Sequence, residues 1–186
     1  MYQLKITLNG INPPIWRRLL VSENITLYKL HHIIQITMGW SNAHLYWFGE
    51  IDSKIGDIQL WDDKETTPDS LIKIRDVLVT DNPTLTYTYD MGDEWVHTIL
   101  LEQVHQEMKT QRKCIGGERR CPPEDCSGVP GYIRILENLK KPGTEEYSEL
   151  MEWLGGDFDP EYIDIRMINA RLGLLSTYIE EYEEGE

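Results

Sequence analysis

TLTYTYDMGDEWVHTILLE, residues 84–102, contains two alternating runs separated by five polar or flexible residues. Leu85, Tyr87 and Tyr89 alternate with Thr84, Thr86 and Thr88, and Trp95, His97, Ile99 and Leu101 repeat the period of two on the return. Strands have that period because successive side chains point to opposite faces. Between the runs, Gly92 can adopt positive φ, and Asp90 and Asp93 can accept from nearby backbone N–H groups, so the stretch predicts a β-hairpin. Asp90, Asp93, Glu94 and His97 fall within eight residues. His97 shares the face of Trp95 and Ile99, so it is either a core histidine or part of a polar site.

Upstream, Tyr2, Leu4, Ile6 and Leu8 predict a first strand, with Asn9-Gly10 as a turn and Ile15–Val21 as an antiparallel second strand. Arg17 and Arg18 must point to opposite faces. Whichever points inward needs a carboxylate or carbonyl partner. Residues 26–38 predict an amphipathic helix with Leu27, Leu30, Ile34 and Met38 on one stripe, capped by Thr26 or Asn24 and ended by Gly39. His31 and His32 lie about 100° apart on that helix, which suits core packing better than a shared metal. His44, Tyr46 and Phe48 are read on one face of a strand, and residues 55–61 as a further short strand. A polar loop over 62–70 and a short helix near Arg75–Leu78 precede the hairpin.

Downstream, residues 105–130 read as a long Cys-, Gly- and Pro-rich loop, of a length usually associated with function. Helices are expected over residues 131–139, after Thr144, and from Asp159-Pro160-Glu161 onward, with EEYEEGE frayed at the end. The order argues for α+β: an antiparallel or mixed sheet packed by helices, with a helical C-terminal part. One domain over 1–186 is expected, strand-rich over 1–104, looped over 105–130 and helical over 131–186.

The net charge of −14 is concentrated at the C-terminal end, since residues 145–186 carry thirteen acidic and two basic side chains. This disfavours nucleic-acid binding by the whole surface. Residues 109–141 run the other way, with eight basic side chains against four acidic, and are a candidate local anion site or a solvated face. No apolar run reaches membrane-spanning length, so no membrane association is expected. MYQLKITLNG reads as a strand, with no signal-peptide pattern, and the three cysteines are an odd number; together they point to a reducing cytoplasm.

Cys114, Cys121 and Cys126, spaced C-x6-C-x4-C, are a candidate zinc set with His97 or Asp125 as fourth ligand. The alternative is three reduced thiols packing the loop, because the tight C-x2-4-C knuckles of structural zinc sites are absent. G-x-S-x-G, H-E-x-x-H, P-loop and dinucleotide signatures are also absent, which leaves enzymatic activity open.

The segments PPIWRRLLV (13–21), LHHIIQITMGWSNAHLYWF (30–48), YTYDMGDEWVHTILLE (87–102), CIGGERRCPPEDCSGVPGY (114–132) and EWLGGDFDPEYIDIRMIN (152–169) occur in an ordered series. On them, the chain resembles the plasmid pRiA4b ORF-3-like family. The resemblance implies an α–β roll and carries no established activity. Some relatives bear transposon or resolvase labels taken from gene context. Ser127 stands where many relatives have Gly, and Met91 where they often have Phe.

Three functions follow as expectations. The first is a cytoplasmic ligand- or partner-binding module, its polar pocket formed by His44, Asp90, Asp93, Trp95, His97, Glu124 and Asp125. The second is a zinc-dependent hydrolase-like enzyme using Cys114, Cys121, Cys126 and His97 with an aspartate. The third is a mobile-element-associated nucleic-acid-binding accessory protein acting through residues 109–141.

Overall fold

Alternation along the first residues becomes β1 (Tyr2–Leu8), in which Tyr2, Leu4, Ile6 and Leu8 are buried and their neighbours half-buried. The structure, a computed structural model, describes residues 1–57, 66–106 and 112–185. β1 pairs antiparallel with β2 (Ile15–Val21), which follows the Asn9-Gly10 turn. Next come α1 (Leu27–Met38), β3 (Tyr46–Phe48), β4 (Ile55–Gly56), β5 (Thr67–Pro68) and the one-turn α2 (Ile74–Val77). The predicted hairpin is β6 (Thr84–Tyr89) and β7 (Trp95–Val104), paired from Thr84–Leu100 to Tyr89–Trp95. The chain ends with β8 (Lys113–Glu118), α3 (Gly128–Asn138), α4 (Glu145–Leu154), α5 (Ile165–Gly173) and α6 (Leu175–Gly185).

Among the described residues eight strands join one sheet in the order β5-β4-β3-β6-β7-β1-β2-β8. Among the described strands β4–β5 alone is parallel, so the sheet is mixed and the α+β expectation holds. Leu4, Ile6, Leu19, Trp95, His97 and Ile99 point to its covered face, against α1. The other face carries Lys5 and Arg18 over the Trp16 ring, and Glu102 in a two-pronged contact with Arg18. α1 starts and stops as its caps predict. The Thr26 hydroxyl accepts from Lys29 N–H, and Gly39 ends the helix at φ 95°. Its buried side chains include Ile33 and Ile36, off the expected stripe, because α5 and α6 cover the side away from the sheet.

Four local expectations are corrected. The loop expected over 105–130 contains β8, an edge strand hydrogen-bonded to β2. Its Gly116-Gly117 pair hides the strand signal. A Cβ on Gly117 would meet Ile163 Cδ1 at 2.8 Å and the Trp16 carbonyl oxygen at 2.9 Å, so glycine permits the close approach of neighbouring elements. His44 precedes β3 and lies in the loop, while Tyr46 and Phe48 keep the shared buried face. Asp159-Pro160-Glu161 forms a turn rather than a helix start; α5 begins at Ile165, where the Asp164 carboxylate accepts from Arg166 and Met167 N–H. Where EEYEEGE was expected to fray, α6 continues to Gly185, and Glu186 lies outside the described residues. Of the expected strand over 55–61 only Ile55–Gly56 is seen, and its remainder beyond Asp57 lies outside the described residues, as does Lys109.

Candidate functional site

Three loops meet at one end of the sheet: Gly39–Leu45 after α1, the hairpin turn at 90–94, and the CPPEDC segment at 121–126. Trp40 is their common packing surface. Its ring stacks on Tyr89 and Trp95 at centroid distances of 5.0 and 6.1 Å, and its Nε1–H donates to the Pro122 carbonyl. Glu124 accepts from the Tyr89 hydroxyl at 2.6 Å and from Ser41 through both N–H and hydroxyl. Burial, and then this bond to Glu124, push the Tyr89 phenol well above its ordinary range.

Asp90 and Asp93 have separate tasks. Asp90 has positive φ (63°), and its Oδ1 accepts from Gly92 and Asp93 N–H, closing the turn. Its Oδ2 faces His44 Nε2 at 3.6 Å. Asp125 Oδ1 lies 3.4 Å from the same nitrogen. His44, Asp90 and Asp125 are thus one group whose ligand-capable atoms lie within 4.8 Å of one another. Asp93 turns away and accepts from Cys126 N–H at 3.0 Å. Beside it, Gly128 approaches the turn so closely that a Cβ would lie 2.5 Å from the Asp93 carbonyl oxygen.

The expected pocket therefore divides. His44, Asp90, Glu124 and Asp125 cluster where the loops meet. Asp93 fastens the hairpin to the cysteine loop, and Trp95 and His97 are completely buried below. His97 lies among Trp40, Tyr87 and Trp95 on the covered face, and neither ring nitrogen has a hydrogen-bond partner among the described residues. Burial pushes its pKa down to about 4, only partly offset by the adjacent Tyr87 and Trp95 backbone, so the ring is neutral at pH 7. Its alternation with Trp95 and Ile99 was the sequence signal for a core histidine.

The cysteine set of the zinc expectation is not assembled. Among the described residues the group with converging ligand atoms is His44, Asp90 and Asp125, without a thiol. Each thiol instead has a local neighbour: Cys114 the Gly116 carbonyl, Cys121 the Met38 sulfur, and Cys126 the Gly128 carbonyl. Burial raises all three thiols, Cys121 to about 11 and Cys126 to about 12, so they are protonated at neutral pH. Strand register explains the separation: Cys114 lies opposite Leu19 within the sheet, while Cys121 and Cys126 follow it in the loop.

A cleft of about 670 Å³ opens beside the three loops, between the end of α1, CPPED, and the α4–α5 region. Trp40, Glu124, Trp153, Phe158 and Met167 are among its walls. Arg17 also lines it, and the sequence marked this residue only as one that needed a partner. Arg17 is 2% exposed. Nε donates to the Thr37 carbonyl at 2.7 Å, and Nη1 to the Trp16 and Glu118 carbonyls. Arg18, on the other face, has the carboxylate of Glu102.

Three basic side chains of the 109–141 segment have partners within the protein. Arg112 donates to the Leu172 carbonyl, Arg119 pairs with Glu161, and Arg120 lies over the Phe158 ring inside the cleft. Among the described residues no helix is long and apolar enough to cross a membrane.

The family model described as plasmid pRiA4b ORF-3-like protein matches residues 1–167. An uncharacterized protein, y4hQ, of Sinorhizobium fredii (strain NBRC 101917 / NGR234) is 33% identical over 170 residues, covering 90% of this chain and 88% of its own length. The crystal structure of a protein of unknown function, MM3350, from Methanosarcina mazei Go1 superposes with a TM-score of 0.79 at 37% identity, covering 89% of this chain and 95% of that one. With sequence and fold agreeing over most of its length, the chain belongs to the plasmid pRiA4b ORF-3-like protein family.

Proposed function

We propose that the protein is a cytoplasmic binding module whose ligand is a small organic anion held in the cleft beside CPPED. The observation that carries this reading is Arg17. It is a buried cation whose three hydrogen bonds go to carbonyl oxygens, and it has no ion pair among the described residues. Carbonyl oxygens satisfy its donors but do not neutralise its charge, and an uncompensated buried charge is costly. Its neighbours Cys121 and His97 are neutral, so they supply no counter-charge. A carboxylate or phosphate entering the cleft supplies it at Nη2, the guanidinium nitrogen outside these three bonds.

Arg120 and Arg171 also line the cleft without an ion pair among the described residues. The volume suits a metabolite-sized molecule, and Trp40, Trp153 and Phe158 offer apolar surface for its body. Arg112 and Arg119 are engaged with protein partners, which favours a small anion over a nucleic-acid backbone. The unpaired, buried thiols agree with a reducing compartment.

The test is calorimetric titration with inorganic phosphate, citrate and benzoate, with melting curves alongside. At least one anion is expected to bind saturably, raise Tm, and lose tenfold or more in affinity in Arg17→Met and in the double variant Arg120→Gln/Arg171→Gln. The double variant changes exposed side chains, so it remains informative if Arg17→Met does not fold. No binding to folded wild type at millimolar anion, or unchanged binding in the folded variants, overturns the reading.

A further inference from the structure

His44, Asp90 and Asp125 come from three separate loops and converge at the cleft's edge, where Asp125 is one of the lining residues. We infer that these three side chains form a binding site for a divalent first-row transition metal, of which zinc is the best match. This inference goes beyond the anion reading and does not rest on it.

The spacing is the main argument. His44 Nε2 stands 3.6 Å from Asp90 Oδ2 and 3.4 Å from Asp125 Oδ1. N–H···O bonds in proteins span about 2.7–3.2 Å, so neither contact is a formed hydrogen bond. Two ligands each about 2.1 Å from one metal, at a tetrahedral angle, lie about 3.4 Å apart. The two separations from His44 match that edge, and the two carboxylates lie within 4.8 Å of each other.

Asp90 supplies an independent observation. It is 6% exposed, and Oδ1 is held by Gly92 and Asp93 N–H. That leaves Oδ2, on a buried carboxylate, with no hydrogen bond among the described residues and directed at His44. The two backbone bonds orient the carboxylate as outer hydrogen bonds orient metal ligands elsewhere. One imidazole nitrogen and two carboxylates suit a borderline cation such as Zn²⁺ and lack the many oxygens that Ca²⁺ takes. Three protein ligands leave a fourth tetrahedral position for water or for an atom of a bound molecule. This donor set differs from the cysteine set suggested by the sequence spacing, whose thiols are protonated and apart.

The experiment uses full-length protein without a histidine tag, stripped with EDTA and returned to chelator-free buffer. Calorimetry with ZnCl₂ is expected to give one ion per chain, with MgCl₂ binding at least a hundredfold more weakly. His44→Ala and Asp125→Asn are each expected to reduce zinc affinity tenfold or more with unchanged far-UV circular dichroism, and His105→Ala to leave it unchanged. X-ray absorption of the zinc-loaded protein is expected to show nitrogen and oxygen scatterers at about 2.0–2.2 Å and none from sulfur at about 2.3 Å. Absence of stoichiometric zinc in folded protein, unchanged affinity in both site variants, or a sulfur shell overturns the assignment. Arg17→Met, if folded, should lose anion binding and keep zinc, which separates the two readings.

Discussion

The carboxylate of Asp93 accepts the backbone N–H of Cys126 at 3.0 Å, fastening the hairpin turn to the cysteine loop. This bond unites the hairpin cluster and the cysteine loop into one structural unit. Asp93→Ala is expected to lose about 1–3 kcal/mol in urea unfolding, the range for orphaning a donor of this kind. Gly128→Ala is expected to lose more, because its φ is 65° and the added Cβ lies 2.5 Å from the Asp93 carbonyl oxygen. A Gly128→Ala loss under 0.5 kcal/mol, on the order of a harmless surface change, would show that the loop is not seated on the turn.

Ser127 adopts φ 69°, where a side chain is strained. Its side chain makes no N-cap hydrogen bond to α3. Left-handed backbone costs an L-residue about 1–2 kcal/mol, and glycine's extra chain entropy returns about 0.5–1 of that. Ser127→Gly is therefore expected to stabilise by about 0.5–1 kcal/mol, read as an increase in the urea midpoint at constant slope.

Acid should destabilise the fold. Burial holds His97 and His32 near pKa 4 and His31 well below its ordinary value, whereas unfolded histidine titrates near 6.5. These groups contribute stability that is full above pH 6.5 and lost as pH falls toward 4, because the unfolded chain takes up their protons first. Asp69 acts in the opposite sense: burial raises it to about 6, so its contribution grows below that pH. Three histidines against one carboxyl leave about two protons, or about 2–3 kcal/mol per pH unit around pH 5. Melting curves from pH 7 to 4.5 check the sign. His97→Leu removes two unpartnered buried nitrogens, should leave Tm at pH 7 unchanged or higher, and should flatten the profile by about one proton.

Thiol reactivity separates packed cysteines from activated ones. Cys114, Cys121 and Cys126 are all buried, and their thiols are raised by burial. Native protein is expected to react with a disulfide reagent at less than one equivalent over minutes, and with three equivalents in guanidinium. A fast-reacting native thiol would mark an activated site that the packing does not predict.

The hairpin, the first two strands and α1 were legible because periods of two and 3.6 run through them without interruption and their caps agree. The opposite directions of Arg17 and Arg18 followed from the same alternation, with the inner residue's need for a carboxylate or carbonyl partner, which carbonyls meet. β8 was not legible, since Gly116-Gly117 looks like a loop until Trp16 and Ile163 are seen against it. Asp90, Glu124, Asp125 and His44 were recognisable as candidates from their types and clustering. Spacing along the chain could not show that Asp93 would turn away or that the cysteines would disperse. Those outcomes depend on tertiary approach: Gly128 under Asp93, and Cys114 inside a strand while Cys121 and Cys126 lie beyond it.

The sheet order also constrains how the chain reaches this arrangement. β1 is made before the other strands of the sheet, yet it occupies an interior position between β2 and β7, with Leu4 opposite Leu101. The β1–β2 pair can form early, but one flank of β1 stays unpaired until nearly a hundred further residues have been made. The loops that carry His44 and Asp90 are aligned by the β3–β6 pairing and join the rest of the sheet only when β7 docks on β1, a long-range closure. A nascent chain stalled before residue 95 presents an open strand flank to its neighbours, so this flank is open to wrong pairing during synthesis and closed in the finished fold.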